Sequence, residues 1–229
     1  MSAIELQRES ELRAAQDKAR ALFDDILAAG LIAPGETESA VERDIFELAR
    51  SKYGVKRHWH KRVIRSGPNT MTVYREEPPD LTIAADDIVY VDLGPVFGSW
   101  EADFGRTFVV GDDPAKLKLR DDLPEMFKIG RAHFENNDAL TGAELFDFMG
   151  QQAAERGWTF GGEIAGHIVG EFPHTKIPGA ESSFVIAPEN PGRLRDLDEN
   201  GNIRHWILEV HLIDPNRGFG GFYEELMTV

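Results

Sequence analysis

Four carboxylates interrupt sequence that otherwise reads as apolar strand. In "VDLGPVFGSWEAD", Asp92 and Asp103 stand on either side of a Pro/Gly-containing turn. In "HWILEVHLIDPNRGFGGFYEELMTV", Glu209 and Glu224 flank the turn Asp214 to Gly218. A first turn centred on Phe97-Gly98 makes Asp92 and Asp103 direct cross-strand neighbours, on the face that Ile88 and Tyr90 share. A second turn centred near Asn216-Arg217 does the same for Glu209 and Glu224. Both registers assume no bulge, and a one-residue bulge would put Glu225 in the place of Glu224. Like charges set opposite each other destabilise a sheet unless they share a proton or a cation. Four of them call for more than one positive charge. A pair of divalent ions meets that need, and bridging carboxylates hold such ions about 3.5–4 Å apart. His167, between the glycines of "GHIVG", adds one imidazole. This donor set suits Mn, Fe, Co or Zn and does not choose among them. The plainer alternative is an Asp92 that starts a turn, a Glu224 at a solvated strand end and a structural His167.

The elements that must position these groups are legible along the chain. Ala3 to Ala29 has helical apolar spacing through Ile4, Leu12, Ala15, Ala19, Leu22, Phe23, Ile26 and Leu27, and Gly30 ends it. A second helix runs from about Glu38 to Lys52, capped by Thr37 and stopped at Gly54. Val63-Ile64-Arg65 leads to the loop Ser66 to Thr70, and Ile88 to Leu93 and Phe104 to Val110 read as strands. The order then repeats. A helical region from about Asp113 to Asn136 is interrupted near Pro124. Thr141 and Glu144 make a capping box for a helix ending at Gly157. A Gly-rich stretch and a polar loop near Asn190 to Asn202 precede two last strands ending at Val229. Each half is thus helix, helix, strands and a closing hairpin, which predicts one α+β domain over 1–229 with internal pseudo-symmetry. Residues 1–54 supply the N-terminal helices and 55–229 the chemistry-bearing core.

Composition narrows the partners. The 229 residues can bury a sizeable core, and 25 basic against 40 acidic side chains give a net charge of −15. That balance argues against nucleic acid or an anionic membrane as partner. No run reaches membrane-spanning length, and the charged, helical N-terminus is unlike a signal peptide, so a cytoplasmic location is expected. With no cysteine in the sequence, disulfides, zinc-thiolate sites and thiol nucleophiles are excluded.

Together, "VDLG", the "DFGRTF" eleven residues on, "GHIVGEFPH", "LEV" and "YEELMTV" resemble the pita-bread metallopeptidases. Methionine aminopeptidase, aminopeptidase P, prolidase and the metal-free creatinase are of that family. The resemblance covers about Ile64 to Val229. It implies the pita-bread fold, with a pseudo-two-fold antiparallel sheet covered by helices, and two divalent metal ions. Asp92 and Asp103 then correspond to first-half metal ligands, and His167, Glu209 and Glu224 to second-half ligands. A bridging water is the nucleophile, and Glu209 is the candidate to accept its proton. His174, seven residues after His167, matches the family histidine that contacts substrate and stabilises the tetrahedral intermediate. Arg106-Thr107 match an Arg-Thr pair beside the second aspartate. Three departures stand out. Tyr74 lies where the family has a further histidine, Val210 lies where a proline is usual, and the length leaves no room for the extra N-terminal domain of prolidases.

Other residues can be read two ways. His211 shares a strand face with Glu209, as a substrate or supporting group or as a buried, satisfied histidine. "KRHWHKR", Lys56 to Arg62, reads first as a solvated surface run, with His58, Trp59 or His60 at the pocket mouth as the alternative. Asn69 of "SGPN" is a turn residue first and a substrate contact second. The leading functional expectation is a dinuclear hydrolase of a peptide or amide bond, of aminopeptidase or Xaa-Pro peptidase type, with His60, Asn69, Tyr74 and His211 near a small peptide substrate. The alternatives are a C–N hydrolase of a small non-peptide metabolite and a non-catalytic peptide-binding domain, though the latter has little reason to keep five ligands. A homodimer is a possible state, because dimers are common in similar enzymes.

Overall fold

A computed structural model of the chain describes residues 2–174 and 181–228. Helices α1 (Ala3–Ala28) and α2 (Glu38–Tyr53) come first. Thr37 caps α2, its hydroxyl accepting from the Ala40 amide at 3.1 Å, and Gly54 stops it with φ +67°. Strands β1 (Val63–Ser66), β2 (Asp87–Leu93), β3 (Val96–Phe97), β4 (Trp100–Glu101) and β5 (Phe104–Val110) complete the first half. The second half holds α3 (Pro114–Glu135), α4 (Gly142–Glu155), β6 (Thr159–Phe160), β7 (Ile168–Val169), β8 (His205–Asp214) and β9 (Phe219–Leu226). The last strand stops at Leu226, and Val229 lies outside the described residues.

The main sheet is antiparallel and runs β1-β2-β5-β9-β8-β6, with β7 also paired to β8. The two halves therefore meet at β5 and β9, in the middle of the sheet. Each half has its own apolar core. Val89, Val91 and Leu93 of β2 pack with Leu22, Ile26, Val41 and Ile45 of α1 and α2. Trp206, Leu208, Val210 and Leu212 of β8 pack with Leu119, Leu123, Met126, Leu145 and Met149 of α3 and α4. Strand side chains alternate between faces, so Asp92 and Glu209 fall on the face turned away from those helices.

Several expectations need correction. The helix expected to break near Pro124 is continuous through it. Proline removes one backbone donor, but the neighbouring Leu123, Met126 and Phe127 are buried in the core and hold the helix to the sheet. Ile4 and Leu27 of the expected apolar stripe are exposed. The first hairpin is also displaced. Its innermost pair is Phe97↔Trp100, so the turn is Gly98-Ser99. Asp92 consequently pairs with Gly105 and not with Asp103. A shift of two residues keeps the same face, so Asp103 remains on the Asp92 side, just before β5 begins. The second hairpin has the expected register, with Glu209 opposite Glu224.

Candidate metal centre

Pairing across the sheet places Asp92, Gly105, Glu224 and Glu209 in one row over β2, β5, β9 and β8. Gly105 makes that row possible. A β-carbon there would lie 2.6 Å from the Phe222 ring and 3.2 Å from the Glu224 β-carbon. Asp103 enters beside the row, nearly sealed from solvent. Gly166 performs a similar service for His167, since a β-carbon on it would sit 2.1 Å from the Ile207 carbonyl oxygen. This close approach docks the His167 segment on β8, where the Ile207 amide donates to the His167 carbonyl at 2.8 Å.

Two imidazoles close on Asp103 from opposite sides. His167 Nε2 lies 3.0 Å from Oδ2, and His60 Nε2 lies 3.0 Å from Oδ1. His167 Nε2 is also 3.6 Å from both Glu209 and Glu224, and His60 Nε2 is 3.6 Å from Asp92. In each histidine Nδ1 meets the next residue's carbonyl, Ile168 at 2.8 Å and Lys61 at 2.6 Å. Those contacts keep a proton on Nδ1 and turn Nε2 toward the carboxylates, to which it donates while the imidazole is charged and from which it could turn its lone pair to a bound cation. The donor atoms fall into two compact triplets, His60–Asp92–Asp103 and Asp103–His167–Glu224, each within 4.8 Å. Asp103 belongs to both. Glu209 is in neither triplet and faces the same cavity.

The electrostatics fit a site built for cations. Burial, with the neighbouring carboxylates, pushes Asp92 up to about 7 and Glu209 up to about 8, and raises Glu224 well above the usual carboxylate range. Burial opposes ionisation of Asp103 as well, yet the two imidazoles overcome it and hold this carboxyl well below its ordinary value. Burial would lower both histidines, but the Asp103 carboxylate raises His60 to about 9 and His167 well above 6.5. Asp92 Oδ1 and Glu224 Oε2 are buried without a hydrogen-bond partner. Unpartnered buried carboxylate oxygens are costly, and a divalent cation would satisfy both. The residues present therefore fit a metal centre.

A cavity of about 430 Å³ opens over the cluster, lined among others by Trp59, Tyr74, Ile164, Phe222 and His211. His211 faces it but is buried, with Nε2 donating to the Thr70 carbonyl at 2.8 Å. Asn69 does not line it. Its amide donates to the buried Glu38 at 3.1 and 3.0 Å and to the Pro79 carbonyl at 2.8 Å, which is a structural task. Tyr74 is at the wall, where its hydroxyl accepts from the Lys61 amide at 3.3 Å. His174 lines a neighbouring cavity of about 610 Å³ instead. Its Nδ1 lies 2.7 Å from the buried Glu101, and its ring stands 5.3 Å from that of Trp59.

Of the two readings of "KRHWHKR", the geometry has His60 and Trp59 lining the cavity beside the cluster. Two features escape the sequence reading. Trp59 makes edge contacts with His60, His167 and His174 at 4.5, 5.1 and 5.3 Å between ring centroids. Glu101 pairs with His174. Of these, only the density of His and Trp in that segment was a visible signal.

Glu224 and Glu225 separate cleanly. Glu224 is in the row, whereas Glu225 pairs with Leu208 and bonds Arg106 on the other face. Glu224→Ala should lose bound metal and Glu225→Ala should keep it, as elemental analysis of the two purified variants will read. The reverse result would mean a bulge in β9.

The chain belongs to metallopeptidase family M24, whose model matches residues 10–203. Glu209 and Glu224 lie beyond that match. No curated protein was found to match. Among solved structures, a prolidase from Thermococcus sibiricus superposes with a TM-score of 0.67 at 20% identity, over 97% of this chain and 58% of that one. An X-Pro aminopeptidase from Thermotoga maritima MSB8 gives 0.71 at 16% identity, over 100% and 62%. A zinc-substituted E. coli aminopeptidase P in complex with product gives 0.66 at 18%, over 98% and 52%. These likenesses establish the pita-bread fold. The chain spans between 52% and 62% of the length of these three relatives. Among the described residues no helix is long and apolar enough to cross a membrane.

Proposed function

We propose that this chain is a dinuclear metal-dependent hydrolase of a peptide or amide bond, of aminopeptidase or Xaa-Pro peptidase type. In this reading residues 1–229 act as one catalytic unit. The observation that carries it is the pair of donor triplets sharing Asp103, with buried oxygens of Asp92 and Glu224 left unpartnered. Asp92, Asp103, His167, Glu209 and Glu224 would hold the ions, and Mn, Co, Fe and Zn are the candidates. When bound, such ions supply Lewis acidity that makes water nucleophilic near neutral pH.

The chain's own groups supply the rest. Glu209 is placed to accept the proton of the attacking water, since its carboxylate faces the cavity beside His167. Glu101 holds the Nδ1 proton of His174 and so leaves Nε2 to act toward substrate. Trp59, Ile164 and Phe222 give the cavity apolar walls that exclude water from the scissile bond. A volume of about 430 Å³ with Arg75 paired to Glu163 at its rim favours a short substrate, the size of a dipeptide or a small amide.

The test is metal analysis of purified protein, followed by a screen of dipeptides, Xaa-Pro peptides and small amides with Mn, Co or Zn added and with chelator. Hydrolysis that appears with metal and stops with chelator is expected. A metal-loaded protein that cleaves none of them would overturn the reading. Tyr74 offers a finer check. If its hydroxyl substitutes for the absent family histidine, Tyr74→Phe should lower turnover with metal content unchanged, as steady-state kinetics will read. Unchanged kinetics would mean that this function is missing or is supplied by His58, His60 or His211.

A further inference from the structure

The niche that holds His60 is built, not incidental. The segment 58–60 docks on the turn after β2, with the Trp59 amide donating to the Gly94 carbonyl at 2.9 Å and His58 bridged to Pro95. The Trp59 indole donates to the Ala102 carbonyl at 3.2 Å. Gly94 leaves the room, because a β-carbon there would fall 2.2 Å from the His60 ring and 2.5 Å from the Trp59 indole nitrogen. His60 is thus held on one side by Trp59 and on another by Gly94, with 8% of its side chain exposed. Its Nδ1 is tied to the Lys61 carbonyl, and among the described residues its Nε2 faces Asp103 at 3.0 Å and Asp92 at 3.6 Å.

We propose that His60 is itself a metal ligand, so that the centre carries one imidazole on each oxygen of Asp103 and presents two three-donor sites, His60–Asp92–Asp103 and Asp103–His167–Glu224. The proposal rests on the two-ion reading above and adds a ligand to it. The spacing fits. Ligands bound at about 2.0–2.2 Å to one ion stand no more than about 4.4 Å apart, and His60 Nε2 stands 3.0 Å from Asp103 and 3.6 Å from Asp92. The likeness to His167 fits too, with the same tautomer, the same Nε2 distance to Asp103 and the same backbone anchor one residue on. His60 lines the cavity along with Asp92 and Asp103, and its Nε2 is aimed at those two carboxylates. Two imidazoles also change the chemistry of the centre. Nitrogen donors favour Zn and Co over Mn, whose preference is for oxygen.

The experiment measures Co²⁺, Zn²⁺ and Mn²⁺ binding by calorimetry on the wild-type chain, His60→Ala and Gly94→Ala, with circular dichroism to show that each is folded. Gly94→Ala keeps the imidazole but displaces it. Both variants should bind Co²⁺ and Zn²⁺ at least about tenfold more weakly, with a smaller loss for Mn²⁺, and the visible spectrum of the Co²⁺ protein should change. Unchanged affinities and an unchanged spectrum in His60→Ala would overturn the assignment. The wild-type chain gives an independent reading if the variants fail to fold. X-ray absorption of the zinc-loaded protein should count two imidazoles per two ions, and one imidazole would overturn the proposal. A wild-type chain that takes up no divalent ion would overturn the two-ion reading beneath it, a result separable from the loss of His60 alone.

Discussion

Asp103→Ala should give a folded protein that holds almost no metal and hydrolyses nothing measurable. Asp103 is the one residue common to both donor triplets, and each of its oxygens faces a different imidazole. Its loss therefore removes a donor from both sites at once and leaves two histidines without their partner. Losing a hydrogen bond outside the ligand set typically weakens a metal site by about 10–100-fold. Losing the shared carboxylate should exceed that, with turnover down by more than about a thousandfold. Asp103→Asn tests charge against shape. It preserves volume but sets an amide against an Nε2, so it should resemble the alanine variant. Elemental analysis and turnover, measured beside circular dichroism, check both. Full metal occupancy in either variant would remove Asp103 from the centre.

The second large effect belongs to His174 and Glu101. His174→Ala should keep its metal and lose roughly a hundredfold in turnover, the scale of a positioned acid or oxyanion donor. Metal should stay because His174 belongs to neither triplet and lines the adjoining cavity. Glu101 is nearly inaccessible and accepts from His174 twice, from the backbone amide at 3.2 Å and at Nδ1 at 2.7 Å. Glu101→Gln should then lower turnover less than His174→Ala, because the imidazole stays in place but loses a fixed negative partner. Wild-type kinetics in both would assign the pair to holding the Trp100–Glu101 strand against Gly170 and His174. His167→Ala, in contrast, should lose metal and activity together.

What could be read from the sequence was what local chemistry decides. Thr37, Gly54 and the Thr141–Glu144 box each satisfy or end a helix through neighbours a few residues away, and all three sit where expected. The second hairpin was readable because Asp214 to Gly218 makes one compact turn between two long strands. The first hairpin was not. Gly94 and Pro95 interrupt the ladder, and a short ribbon then carries the turn to Gly98-Ser99. Alternation survived the shift, so the correct face was assigned to Asp103 from an incorrect partner. His60 could be read only as a candidate for the pocket mouth, and its contact with Asp103 was beyond local reasoning. Its place depends on a glycine 34 positions later that leaves room for it. Asn69 is similar, because the buried Glu38 that claims its amide lies in α2, 31 positions earlier.

The joint between β5 and β9 has a consequence for the order in which the molecule comes together. Among the described residues its ladder is the single pair Gly105↔Glu224. The remainder is riveted by side chains, Arg106 donating to the Glu224 carbonyl at 2.8 Å and the Thr107 hydroxyl bonding Phe222 at 2.8 and 2.7 Å. These partners are 115 to 118 residues apart in the chain, so they close late. Asp92 and Asp103 lie on one side of that joint, and His167, Glu209 and Glu224 on the other. The His60–Asp92–Asp103 triplet lies within the first half, whereas the Asp103–His167–Glu224 triplet needs both, so an ion at the second site is captured only once the halves have met. Unfolding should slow as metal is added, because the shared site must open when the halves part, as stopped-flow fluorescence of the tryptophans will read. The cation acts as a bolt drawn after the door has shut.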